Sequence, residues 1–87
     1  STIKRNQNIK EELWVMEKQF LEFVAGIMKV NISDLNMETT YKDYEKWDSL
    51  MMLILIMEIE AKYGISIPME KAGNIKKLSD LYALVKG

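Results

Sequence analysis

Histidine and cysteine are both absent from this 87-residue chain. Without cysteine there is no disulfide, no zinc–thiolate site and no thiol nucleophile. Without histidine the commonest general base and metal ligand is missing, and most hydrolytic triads with it. Glycine is 4 and proline 1, too few for a sheet-rich fold with many tight turns. The acids Asp43, Glu45 and Asp48 cluster in sequence, but no base, metal set or nucleophile accompanies them, so a free-standing enzyme is not expected. The net charge of −1 excludes a strongly basic nucleic-acid binder. The longest apolar run, the eight residues from Leu50 to Met57, falls short of the ~20 that span a bilayer. A polar N-terminus predicts no secretory leader and a cytoplasmic compartment.

What is present is the make-up of one small globular domain: 48% apolar and 29% charged residues. Charge is unevenly spread. Residues 11–61 hold eleven acids against four lysines, while both ends are basic. Ile9, Leu13, Met16, Phe20, Phe23 or Val24, and Ile27 recur every three or four residues, which predicts a helix over 9–28. Asn8 would cap it with Glu11 bonding back, leaving 1–8 as a flexible segment ahead of a bundle over 9–87. Trp14 is expected half-buried on this helix, and most methionines are expected to fill the core. A second helix is predicted over 49–63, stopped by Gly64, and a third over 78–86. Between the first two lies a long polar connection punctuated by Ile32, Leu35, Met37, Tyr41, Tyr44 and Trp47. Pro68 reads as the first position of one short helical turn. The predicted fold is all-α: a bundle of three main helices plus one short helix, with a long loop between the first two.

The informative residues are Trp47-Asp48-Ser49-Leu50 at the start of the second helix. Two readings stand side by side. Asp and Ser are good N-cap residues, and the pair has that role at many helix starts. A serine exposed at a helix N-terminus is also a favourable place for a covalently attached phosphate, because free N–H groups and the dipole face it.

With these residues the sequence resembles the acyl carrier proteins over about 16–86. The resemblance rests on Asp48-Ser49-Leu50, the helix running into Tyr63-Gly64-Ile65-Ser66-Ile67-Pro68, and the ending Leu81-Tyr82-Ala83-Leu84-Val85. Trp47 before the motif is similar to stand-alone and polyketide-type carriers. The resemblance implies a non-enzymatic carrier. Ser49 would bear 4′-phosphopantetheine, added from coenzyme A by a phosphopantetheinyl transferase, with Asp48 its acidic neighbour and Leu50 the apolar residue after it. Acyl or aminoacyl groups would ride as thioesters on that arm to acyl-transferring or synthase enzymes of fatty-acid, polyketide or related biosynthesis. The alternative is a helical interaction module of the same fold that is not modified.

The chain departs from the family in three places. Tyr44-Glu45-Lys46 replaces the usual Asp-Leu-Gly before the motif. Lys76-Lys77 stand where Thr or Ser often caps the last helix, so that helix is expected to fray. Met51 and Ile54 stand on the second helix where acids are expected, near Glu58. They are read as a partner-docking patch, as side chains packed under Tyr41, Tyr44 or Trp47, or as a dimer contact. The expected state is a monomer.

Overall fold

The computed structural model describes residues 2–87, with side chains from Ile9 onward. Helix α1 runs Thr2–Met28, α2 Ser49–Tyr63, α3 Met69–Ala72 and α4 Leu78–Lys86; a single 3₁₀ turn, Ile32–Asp34, sits in the long connection. Three main helices and one short one match the predicted all-α bundle. The described residues form no strand, only one isolated antiparallel bridge between Thr40 and Lys77.

The core is one cluster to which every part of the chain from Phe20 onward contributes. Phe20, Val24, Ala25 and Met28 come from α1, Leu35 and Trp47 from the connection, and Met52, Leu55 and Ile59 from α2. Ile67 and Ile75 enter from the second connection, and Leu78, Leu81 and Tyr82 from α4. The spacing of Met52, Leu55 and Ile59, three and then four residues, is what turns the otherwise apolar α2 one way round. Gly64 ends that helix in the left-handed region at φ 63°, and its N–H donates to the Glu60 carbonyl.

Several expectations are corrected. The side chains of 1–8, and with them the Asn8–Glu11 capping box, lie outside the described residues. The backbone is nevertheless helical from Thr2, which puts Asn8 inside the helix rather than at its cap. Ile9, Leu13 and Met16, placed on the buried stripe by their spacing, are exposed: the core begins at Phe20, and α4 reaches only as far as the edge of Met16. Trp14 is 62% exposed rather than half-buried, with the Lys18 ammonium 5.3 Å from its ring. Pro68 is the N-cap of α3 and not its first residue, a one-position difference.

The start of α4 is held despite Lys76-Lys77. The Asp80 carboxylate accepts from the N–H groups of Lys76 (2.8 Å) and Lys77 (3.1 Å). The next two N–H groups donate to the long connection: Leu78 to the Thr39 carbonyl (3.0 Å) and Ser79 to Met37 (2.9 Å). Three of the N–H groups that a bare helix start would leave open, those of Lys77, Leu78 and Ser79, are thereby satisfied, and the expected reason for fraying is removed. The exposed Lys77–Glu38 pair at 2.9 Å adds little to this.

Two buried polar atoms have no partner among the described residues: the Trp47 Nε1 and the Tyr82 hydroxyl. Tyr82 packs against Phe20 with ring centroids 5.1 Å apart. Burial pushes its phenol pKa above the ordinary 10.0, and Glu17 adds to the rise. Tyr63 is raised in the same direction, by burial and then by Tyr82. A phenol that stays neutral longer in the folded state is ionised first in the unfolded chain. Stability is therefore intact below pH 10.0 and falls as pH rises above it. Tyr82→Phe should remove an unsatisfied buried hydroxyl and stabilise the fold by ~1 kcal/mol. It should also lessen the alkaline decline; urea melts at neutral pH and above pH 10.0 measure both effects.

Candidate functional site

The site begins with the burial of Trp47, which is 1% exposed and lies 5.4 Å from the Tyr41 ring. Its N–H donates to the Tyr44 carbonyl at 3.0 Å, closing a turn over Tyr44-Glu45-Lys46. No glycine is needed for that turn, since none of the three residues has positive φ. The next residue, Asp48, is extended, and its carboxylate accepts from the Met51 N–H at 2.8 Å. Asp48 is therefore the N-cap of α2. With the cap supplied, Ser49 is free of that duty. It occupies the first helical position and is exposed.

Ser49 opens onto a cleft of about 810 Å³ between α2, the long connection and the α3 region. Met52, Leu53 and Ile56 form its α2 wall; Met69, Ala72 and Ile75 form the opposite one. The lining is dominated by apolar side chains, with Lys42 and Lys76 also present. The far side of the cleft is fixed by Glu60, whose carboxylate accepts from the Ile67 N–H at 2.8 Å. Glu60 is half-buried and ties α2 to the second connection.

The structure sorts the predicted site residues. Asp48, Ser49 and Leu50 come together at the helix start, all exposed. Met51 is half-buried and packs against the core. Ile54 is half-buried but does not join the core packing, and Glu58 is exposed. The apolar side chains that face outward are Leu50 (67% exposed), Leu53 (57%) and Met57 (67%), joined from α3 by Met69 (85%). Leu53, Met57 and Met69 were missed. The spacing of three and four from Leu50 through Leu53 to Met57 is as regular as that of the core stripe. In a helix apolar nearly all round, spacing alone does not say which stripe is buried.

Asp43, Glu45 and Asp48 do not form a metal site: no group of three potential ligands comes together among the described residues. No helix there is long and apolar enough to cross a membrane.

A phosphopantetheine needs one accessible hydroxyl, and an acyl group on it needs an apolar surface nearby; Ser49 and the adjoining cleft offer both. Comparisons with known proteins bear on the family. The family described as "Phosphopantetheine attachment site" matches residues 18–85. The acyl carrier protein of Rickettsia canadensis (strain McKiel) is 34% identical over 71 residues, which cover 82% of this chain and 83% of that protein. That of Rickettsia bellii (strain RML369-C) is 27% identical over the same length. A solved Mycobacterium tuberculosis protein assigned as an acyl carrier protein superposes with a TM-score of 0.68 at 29% identity, covering 82% of this chain and 95% of that one. A family match over most of the chain, a relative above 30% identity and a shared helical architecture all point one way: the chain belongs to the acyl carrier protein family, whose cofactor is covalently attached 4′-phosphopantetheine.

Proposed function

We propose that Ser49 is the attachment residue and that the protein carries acyl intermediates whose chains rest in the cleft beside it. The observation that supports this is the exposed Ser49 hydroxyl at a helix start already capped by Asp48, at the mouth of an apolar cleft. When bound, the cofactor supplies a terminal thiol on which acyl groups are held as thioesters. The chain does the rest. Its first α2 N–H groups and helix dipole favour a phosphate at Ser49. Lys42 and Lys76, which line the same cleft, add positive charge. Met52, Leu53, Ile56, Ala72 and Ile75 offer apolar surface that keeps an acyl chain from water. Tethering holds the group at high effective concentration for successive enzymes without a tight complex. Fatty-acid or polyketide assembly would use such a carrier.

Incubation with a broad-specificity phosphopantetheinyl transferase and coenzyme A should add one phosphopantetheine, seen by intact mass, and Ser49→Ala should abolish the gain. A parent chain that gains no mass with several transferases would favour the unmodified interaction module.

Asp48 has two duties in this reading, capping α2 and presenting charge to the transferase. Asp48→Ala should cost ~1 kcal/mol of stability and slow loading far more than that loss explains. Melts and loading rates on the one variant separate the two duties.

For docking, the outward stripe of Leu50, Leu53 and Met57, with Ile54 at its edge and Glu58 beyond, points to apolar contact with partner enzymes rather than contact through acids. Exposed charge pairs weaken over a Debye length of ~10 Å at 0.1 M salt, whereas apolar burial does not. Acyl-transfer rates should change little between low and moderate salt. Ile54→Glu and Met57→Glu should each slow transfer while Ser49 loading and the melting temperature hold. Rates that collapse with salt would assign recognition to charge.

A further inference from the structure

The cleft beside Ser49 combines apolar walls with charge of one sign. Lys42 and Lys76 line it, and among the described residues no carboxylate does. These lysines come from segments far apart in sequence that the backbone ties together. Tyr41, next to Lys42, donates its N–H to the Lys76 carbonyl at 2.8 Å, and Thr40 forms a bridge with Lys77. Two nearby acids are engaged elsewhere. Glu38 pairs with Lys77 at 2.9 Å, and the Asp80 carboxylate accepts from the N–H groups of Lys76 and Lys77. Lys42 and Lys76 are exposed and have no ion-pair partner among the described residues. A plain alkyl chain makes no use of their charge.

We propose that the cargo is a carboxyacyl group: a methylene chain joined to the arm as a thioester at one end and bearing a carboxylate at the other. This rests on the reading of Ser49 as the attachment residue and adds to it the chemical class of the load. Met52, Leu53 and Ile56 cover the methylenes. Lys42 and Lys76 take the carboxylate through charge-assisted hydrogen bonds. The phosphate of the arm has its own partners in the first α2 N–H groups. The same lysines discriminate by repulsion. An aminoacyl group carries an ammonium, which would stand like on like against them. A very short carboxyacyl group has no methylenes for the walls, and an alkyl chain has no carboxylate for the lysines. A carboxylate at the end of a methylene chain uses both features. Because the lysines are exposed, water screens the attraction, so it sorts cargoes and does not lock one in place.

The test loads the full chain from coenzyme A thioesters of one chain length and different endings: octanoyl, the half-thioester of suberic acid, and an amine-ended chain of the same length. Urea melts at neutral pH and low salt read the pairing, because it exists in the folded state alone. The suberoyl form should melt at higher urea than the amine-ended form. Replacing both lysines, Lys42→Gln with Lys76→Gln, should lower the suberoyl midpoint by roughly 0.2–0.6 M more than it lowers the octanoyl midpoint. Lys42→Arg with Lys76→Arg should keep the parent behaviour, and about 1 M salt should erase the difference. Equal losses in the octanoyl and suberoyl forms would assign the lysines to the phosphate or to covering the walls. That result overturns the inference while leaving Ser49 as the attachment residue, as does an amine-ended form as stable as the suberoyl one. A chain that gains no mass from any of the thioesters overturns both the inference and the reading it rests on.

Discussion

Twenty residues separate the end of α1 from the start of α2, and a connection of that length holds one shape only if its own side chains reach the core. Trp47 is the deepest of those anchors. Its complete burial beside Tyr41, with Leu35 buried earlier in the segment, makes the connection part of the core instead of a strap over it. The backbone is tied at the same places: Tyr41 donates to the Lys76 carbonyl at 2.8 Å, and Leu78 and Ser79 donate back to Thr39 and Met37. One segment thus closes the start of α4, walls the cleft and delivers Asp48 to the start of α2.

The site follows from that delivery. Because Trp47 fixes where the chain enters α2, Asp48 is placed to cap the helix and Ser49 to face outward. Because Glu60 and Gly64 fix where the chain leaves α2, the second connection returns along it and forms the other wall of the cleft. Capping, exposure and an apolar hollow then coincide at a single serine. Each of the three is ordinary; their coincidence is what suits a carrier.

Much of this was legible in the sequence. Helix α2 runs from Ser49 to Tyr63 as its spacing and Gly64 predict, and the anchors of the long connection are readable from their regular recurrence in a polar segment. Contacts between distant segments were not. Beyond the local bonds from Lys76 and Lys77 to Asp80, the start of α4 is completed by Thr39 and Met37 from about forty residues away. No local pattern signals this. Ile9, Leu13 and Met16 show the converse: helical spacing predicts a shared face, not that anything covers it.

The central claim is that the cleft beside Ser49 receives the cargo. Amide chemical shifts of the protein bearing acyl groups of increasing length on its cofactor test it most directly. The account predicts changes that grow with chain length at Met52, Leu53, Ile56, Ala72 and Ile75, while the far end of the molecule around Leu13 stays still. Shifts confined to Ser49 and its immediate neighbours, independent of acyl length, would contradict it.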